Sequence, residues 1–122
     1  GGELSRVMLA LRLVLSGGPP TMVFDEVDAG VGGEAANAVG EALARLAESR
    51  QVLVVTHLAQ VAAASGSQVA VDKRSDGRAT LTVVRNLGES ERVVEISRML
   101  SGSPESDSAR AHAEELLAGR SR

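Results

Sequence analysis

The sequence predicts an α/β fold in which mainly parallel strands are flanked by helices. Two short apolar runs, at 21–27 and 51–57, each end in polar residues, which is typical of parallel strands covered on both faces. Between them, residues 34–48 carry apolar side chains at helical spacing and are long enough for the helix of a right-handed crossover. These observations together predict a βαβ unit.

The other elements are predicted from apolar periodicity and from the residues that interrupt it. They include a β-hairpin and two helices near the C-terminal end. In chain order they are a helix at 4–15 that ends at the glycines and prolines of 17–20, a short helix at 58–64, hairpin strands at 68–71 and 79–84 around a turn at 75–77, a helix at 91–100, and a last helix capped by Ser103, with Pro104 in its first turn, that stops at Gly119.

Composition sets bounds on the class of protein. With 122 residues, 43% of them apolar, the chain is long enough for one small domain with a core. A net charge of −3 argues against a dedicated DNA-binding surface, and Phe24, the single aromatic residue, offers no platform for stacking bases. The lack of cysteine suits a reducing cytoplasm, and no apolar stretch approaches the roughly 20 residues that span a bilayer. We therefore expect a cytoplasmic domain that does not enter a membrane.

The first apolar run ends in adjacent carboxylates, Asp25 and Glu26. Because successive residues of a strand point to opposite faces, one carboxylate could face a metal ion while the other reaches a water molecule. Hydrolysis of ATP requires this division between a metal that spreads charge and a base that orients the nucleophile. The alternative is that Asp25 or Asp28 caps the following helix and Glu26 is solvated.

Two further features could bind phosphate. Gly1, Gly2 and Glu3 open a helix, where free backbone N–H groups and the helix dipole attract anions. His57 follows the second strand, at the edge of a parallel sheet where ligands bind, and is expected beside Glu26. The alternatives are a flexible end before an ordinary core helix, and a structural histidine.

Three stretches occur in an order that points to one family. They are Gly-Gly-Glu-Leu-Ser-Arg-Val-Met-Leu-Ala-Leu-Arg from residue 1, Val-Phe-Asp-Glu-Val-Asp-Ala-Gly-Val-Gly-Gly from residue 23, and Val-Val-Thr-His-Leu-Ala-Gln-Val-Ala-Ala from residue 54. In this order they resemble the RecN family, the SMC-like ATPases of bacterial DNA repair, whose heads are of the ATP-binding-cassette type. The resemblance covers nearly the whole chain. It departs at Gln68, where the family commonly has a histidine, and the serine that normally precedes the two glycines is missing.

The resemblance implies a role for each of these stretches. The first is the signature motif, which contacts the γ-phosphate of ATP held by the opposite head of a dimer. The second is the Walker B strand followed by the D-loop, which reaches across the dimer, and the third carries the H-loop histidine. The residues so assigned are Gly1, Gly2 and Glu3 for binding ATP in trans, Asp25 for Mg²⁺, Glu26 for polarising the attacking water, His57 for bonding the γ-phosphate, and Asp28, Ala29 and Gly30 for the D-loop.

By the same resemblance, residues 1–122 are one partial domain, the C-terminal lobe of a P-loop NTPase head without its Walker A loop and coiled coil. The implied cofactors are ATP and Mg²⁺, and the implied partners are a second head and, through the full-length protein, broken DNA. The implied location is the bacterial cytoplasm, in association with the nucleoid. We expect the isolated chain neither to bind ATP tightly nor to hydrolyse it, because Lys73, the only lysine, has no glycine-rich approach. We also expect exposed apolar faces.

Other classes of protein share some of these features. A transporter head would normally show a proline after the acidic pair and a glutamine-rich signature helix, where this chain has Val27 and Glu3. A receiver-like signalling domain would use Asp25, Glu26, Thr56 and Lys73, but the phospho-accepting aspartate of a middle strand is missing. Another SMC-like head and a non-catalytic dimerisation module remain as alternatives.

Overall fold

A computed structural model describes residues 2–15 and 17–120 of the chain, so Gly1 lies outside the described residues. Helices and strands alternate in the first half of the chain, and a hairpin and two helices follow. The elements are α1 (Gly2–Val14), β1 (Thr21–Asp25), α2 (Gly33–Ala47), β2 (Gln51–Val55), α3 (Ala59–Ala63), β3 (Val69–Ser75), β4 (Thr80–Asn86), α4 (Glu89–Ser101) and α5 (Asp107–Gly119).

The strands form two separate pairs. β1 and β2 are parallel, with Thr21 beside Gln51 and Asp25 beside Val55, and α2 connects them. β3 and β4 form an antiparallel hairpin. The α/β prediction and the βαβ unit are therefore confirmed, whereas the expectation of mainly parallel strands is wrong, because the described residues hold one pair of each kind.

Only one face of the parallel pair is covered. Met22 and Phe24 of β1 are buried, whereas Val23 is 67% exposed and Leu53 of β2 is 50% exposed. The prediction that both faces of these strands are covered is therefore wrong for this chain. The covered face packs into a core cluster formed by Leu9, Met22, Phe24, Val27, Leu43, Leu46 and Val61.

Helix α1 turns its apolar stripe outward. Its buried residues are Gly2 and Leu9, whereas the apolar side chains at the predicted helical spacing are exposed. An exposed helix face with this many large apolar side chains is uncommon on a monomeric soluble protein. The expectation of exposed apolar faces is thus confirmed; those on α1 and just after it are Leu4, Val7, Met8, Leu11, Val14 and Leu15.

A second cluster joins α3, α4 and α5 around Ala59, Ala62, Ala63, Ile96 and Ala113. Beside it, Arg92 is buried and its guanidinium donates to the carbonyl oxygens of Ala62 at 3.2 Å and Ser65 at 3.0 Å. Burial lowers the pKa of Arg92, and the positive charge of Arg120 lowers it further. Arg92 therefore adds a donor to carbonyl groups at the end of α3, where the Ala62 oxygen also accepts from the backbone N–H of Ser65 at 3.2 Å.

The start of the last helix differs from the prediction. α5 begins at Asp107, and the Ser106 hydroxyl accepts a hydrogen bond from the backbone N–H of Ala109 at 3.3 Å. The prediction of Ser103 as cap and Pro104 in the first turn is therefore wrong, because Ser106 supplies the capping oxygen. The predicted end at Gly119 is confirmed.

No helix in the part of the chain that the structure describes is long and apolar enough to cross a membrane.

Candidate functional site

The candidate site lies at the edge where β1 and β2 both end. Because the strands are parallel and Asp25 pairs with Val55, the residues that follow each strand emerge at the same edge. Asp25 and Glu26 are both exposed there. Glu26 lies beyond the strand with a φ of 58°, a left-handed conformation that is uncommon for a residue other than glycine. The strand alternation expected for Asp25 and Glu26 therefore does not extend to Glu26.

The loop after the acids, residues 26–31, is held in two consecutive turns. The N–H of Ala29 donates to the Glu26 carbonyl at 3.1 Å, and the N–H of Val31 donates to the Asp28 carbonyl at 3.1 Å. The side chain of Val27 is completely buried in the first core cluster. The loop is therefore an ordered part of the fold.

Helix α1 supports this loop through two side chains that the motif reasoning left without a role. The Arg6 guanidinium donates to the carbonyl oxygens of Val27 at 3.2 Å and Ala29 at 2.9 Å. The Ser5 hydroxyl donates to the Asp25 carbonyl at 3.2 Å. In the sequence, Arg6 is marked only by its position one helical turn after Gly2. Because surface arginines on helices are usually solvated, that position did not indicate that Arg6 binds the loop.

The N-terminus of α1 also touches the loop. Gly2 is buried, and a Cβ atom placed on it would lie 2.9 Å from both the Cβ and the carbonyl oxygen of Ala29. Glu3, the next residue, is exposed. The structure therefore brings Gly2 of the predicted signature motif next to the predicted D-loop of the same chain.

Asp28 is the most buried acidic residue of the site, with 2% of its surface exposed. Its Oδ2 atom accepts hydrogen bonds from the Thr56 hydroxyl and from the backbone N–H of His57 at 3.3 Å. The residue that caps α2 is Gly32, and no side chain caps that helix. The alternative interpretation of Asp25 or Asp28 as a helix cap is therefore wrong.

His57 emerges at the same edge with a side chain that is 76% exposed. Its Nδ1 atom lies 3.7 Å from Oδ2 of Asp28. Within the described ranges no hydrogen bond or ion pair joins His57 to Glu26. The parallel pairing thus places both residues at one edge, but the partner that fixes His57 is Asp28.

The donors present suit Mg²⁺ bound mainly by water and phosphate. Among the described residues, no group of three or more histidine, cysteine, aspartate or glutamate side chains could hold a metal ion. Mg²⁺ keeps several waters and takes only one or two carboxylates besides substrate phosphates, so the exposed carboxylate of Asp25 fits this chemistry. Lys73 lies on β3, in the other sheet from the acids, which does not support a receiver-like pocket.

Comparison with known proteins identifies close relatives of the chain. It is 60% identical over 119 residues to the DNA repair protein RecN of Streptomyces coelicolor, 58% identical to that of Deinococcus radiodurans, and 50% identical to that of Treponema pallidum. The alignments cover 96% to 98% of this chain but 21% of each relative, so the chain spans about a fifth of the length of the curated relatives it matches. No family model matches the chain. The resemblance found in the sequence is thus confirmed: the chain is a homologue of the C-terminal part of RecN.

Proposed function

We propose that this chain is the C-terminal lobe of an ATPase head whose ATP-dependent dimerisation serves the repair of DNA double-strand breaks. The observation that carries the proposal is that Asp25, Glu26 and His57 all lie at one edge of a parallel strand pair. The names of the relatives, which are DNA repair proteins, support the biological role.

The chemistry assigns a separate task to each residue. Asp25 would hold Mg²⁺ through water, and the metal would supply positive charge that stabilises the transferred phosphate. Glu26 orients the attacking water and takes its proton as the water oxygen bonds to the γ-phosphorus and the bond to the ADP oxygen breaks. His57 donates a hydrogen bond to the γ-phosphate. The exposure of all three side chains is consistent with a ligand that approaches from outside the chain.

The same proposal makes the site composite. The N-terminus of α1, with Gly1, Gly2 and Glu3, offers backbone N–H groups to the γ-phosphate of ATP bound by the opposite head. Ala29 and Gly30 of the D-loop approach that nucleotide from the same direction. The partner is a second copy of the head, and DNA binds elsewhere in the full-length protein, because this chain carries a net charge of −3. The protein works in the bacterial cytoplasm, at the nucleoid.

The exposed apolar surfaces support a chain that functions inside a larger body. Val23 and Leu53 on the sheet, and Leu4 and Leu11 on α1, lie on surfaces that a folded domain normally covers. We assign their cover to the preceding part of the head, which in the relatives belongs to the other four-fifths of the protein. Since the chain also lacks a phosphate-loop lysine, the isolated chain should not bind ATP at micromolar concentration. Tight binding of ATP by this chain alone would contradict the proposal.

A non-catalytic dimerisation module is the second candidate, and the exposed apolar surfaces are the observation in its favour. In that case the acidic pair has no chemical task, and the α1 end and D-loop serve only as contact surfaces. Dimerisation would then occur without turnover.

The test is Mg²⁺-dependent ATP turnover by a protein of the relatives' full length that carries this chain as its C-terminal part. We expect Glu26→Gln to lower turnover by about 10²- to 10⁴-fold, because a general base contributes that much. Glu41→Gln, the same change at an exposed position on α2, is the matched control and should turn over like the parent. Each protein is assayed with and without linear DNA.

Dimerisation is measured in the same proteins by sedimentation with and without ATP. Dimers that form with ATP in Glu26→Gln, where turnover is lost, would support the composite ATPase. Parent protein that dimerises but shows no turnover, with or without DNA, would transfer the assignment to the dimerisation module.

A further inference from the structure

We propose that Asp28 is a positioning residue that acts inside its own chain, where it holds Thr56 and His57, and that it does not contact the nucleotide of the opposite head. The inference rests on the proposed function and changes one part of it. The resemblance placed Asp28 with Ala29 and Gly30 among the residues that reach across the dimer. The geometry divides that segment into two anchored residues, Asp28 and Ala29, and an exposed glycine, Gly30, that can reach outward.

The first observation is the burial of the Asp28 carboxylate. Only 2% of the residue is exposed, and Oδ2 accepts hydrogen bonds from the Thr56 hydroxyl and the His57 backbone N–H. Both donors lie immediately after β2 in the same chain. A carboxylate that turned outward to a partner would lose both bonds and leave the two donors unpaired, which is costly in a buried site. The side chain is therefore committed to its own subunit.

The second observation is that the backbone on both sides of Asp28 is anchored. Val27 is fully buried, and the Arg6 guanidinium holds the carbonyl oxygens of Val27 and Ala29 at 3.2 Å and 2.9 Å. Gly30 follows with exposed surface and a φ of 71°. Movement toward a partner is thus open to Gly30, whereas Asp28 lies between two fixed points, Val27 and Ala29.

The third observation shows how Asp28 acts on His57. The Thr56 hydroxyl donates to Asp28 and also accepts a hydrogen bond from the backbone N–H of Leu58 at 3.0 Å. His57 therefore lies between two residues whose backbone is fixed, and its own N–H is bound as well. Its ring remains 76% exposed at the sheet edge, where it is available to a phosphate. Asp28 fixes the backbone of His57 and leaves the ring exposed, with Nδ1 3.7 Å from Oδ2 of Asp28.

The decisive experiment uses mixed head dimers in the full-length protein, with the two heads joined so that each carries a chosen set of substitutions. In the first dimer, one head carries Asp28→Ala and the other carries Glu26→Gln. The only competent Glu26 is then in the chain that lacks Asp28. In the second dimer, one head is the parent and the other carries both substitutions, so the competent Glu26 and His57 share a chain with an intact Asp28.

Both dimers contain the same two substitutions, so a general loss of stability affects them equally. We expect the second dimer to turn over ATP at the rate of a reference dimer of parent and Glu26→Gln heads. The first should be slower by about 10- to 100-fold, as is found when a supporting residue is removed. The reverse order would overturn the proposal, and so would equal rates in the two dimers with both Asp28→Ala and Asp28→Asn.

A measurement independent of turnover separates this inference from the proposed function. Thr56→Val removes the hydroxyl and keeps the shape, whereas Thr56→Ser keeps the hydroxyl. Amide hydrogen exchange at His57, whose N–H donates to Asp28, should accelerate about tenfold or more in Thr56→Val and stay near the parent rate in Thr56→Ser. If the parent and reference dimers show no turnover, the proposed function fails while the exchange result still decides the inference. Unchanged exchange in Thr56→Val would overturn it.

Discussion

Replacing Gly2 by alanine should disturb the loop at 27–30 even when no nucleotide is bound. The added Cβ would lie 2.9 Å from the Cβ and the carbonyl oxygen of Ala29, and 2.8 Å from a guanidinium nitrogen of Arg6. Real Cβ atoms essentially never come within 3.0 Å of a neighbour, so something must shift. The Arg6 guanidinium can move aside. The Ala29 backbone cannot yield without displacing the whole loop, because Val27 is buried beside it.

The size of the effect follows from two opposing contributions. Overpacking by one methyl group costs about 1–3 kcal/mol. Alanine gains up to about 1 kcal/mol over glycine in a helix interior, and less at the first residue of a helix, where Gly2 lies. The net cost to the closed loop is about 1–2 kcal/mol. Such a cost raises the population of the open loop by about 5- to 30-fold.

The assay is amide hydrogen exchange in the full-length protein without ATP, followed at Ala29 and Val31, whose N–H groups close the turns of the loop. Exchange at both positions should accelerate by the same factor of about 5 to 30. The matched control is Gly119→Ala at the end of α5, where a Cβ would have no neighbour within 4 Å. Unchanged exchange in Gly2→Ala, together with weaker ATP-dependent dimers, would refute the reasoning and show that Gly2 matters only for phosphate approach.

Three further predictions concern the rest of the fold. Arg92→Met removes the hydrogen bonds of a buried guanidinium to the carbonyl oxygens of Ala62 and Ser65 and should destabilise the protein by about 2–4 kcal/mol in urea unfolding. Arg110→Met, at an exposed helical ion pair, should cost at most about 0.5 kcal/mol, and equal costs for the two variants would contradict this account of Arg92. Gly102→Ala should lower the free energy of unfolding by about 1–2 kcal/mol, because Gly102 ends α4 with a φ of 75°, which is unfavourable for alanine. An unchanged melting temperature in this variant would contradict that reason. Backbone N–H groups of the hairpin turn lower the pKa of Asp76, so the hydrogen bonds to its carboxylate are lost only as pH falls through this lowered pKa. An NMR titration of the turn amides should therefore have its midpoint below the ordinary pKa of aspartate. A midpoint at or above the ordinary pKa would exclude these hydrogen bonds.

Local patterns were sufficient for most of the element order. Helix α2 illustrates this, because its apolar residues at three- and four-residue spacing predicted both its extent and its buried face, which holds Ala36, Leu43 and Leu46. The acidic pair and His57 were likewise recognised as a candidate site, since they follow apolar runs whose parallel pairing brings their ends together. These features depend on neighbours within a few turns of chain or on one strand pairing.

Other properties depended on contacts between residues far apart in the chain. Arg6 and Ala29 are 23 positions apart, and Thr56 and Asp28 are 28 apart, so no periodicity could indicate that these side chains meet. The start of α5 was mispredicted because several serines could cap the helix, and the bond from Ala109 to Ser106 decided among them.

Residue types and spacing along the chain thus determined the helices, the strands and the acidic edge, because backbone geometry converts short-range pattern directly into local structure. Packing decided the direction of each side chain at that edge. Asp28 turns inward because two donors after β2 satisfy its carboxylate, and α1 buries Gly2 because the loop approaches it closely. The apolar stripe of α1 had the spacing of a core face, yet it is exposed, because a pattern shows which side chains share a face and only the packed elements show which face is covered.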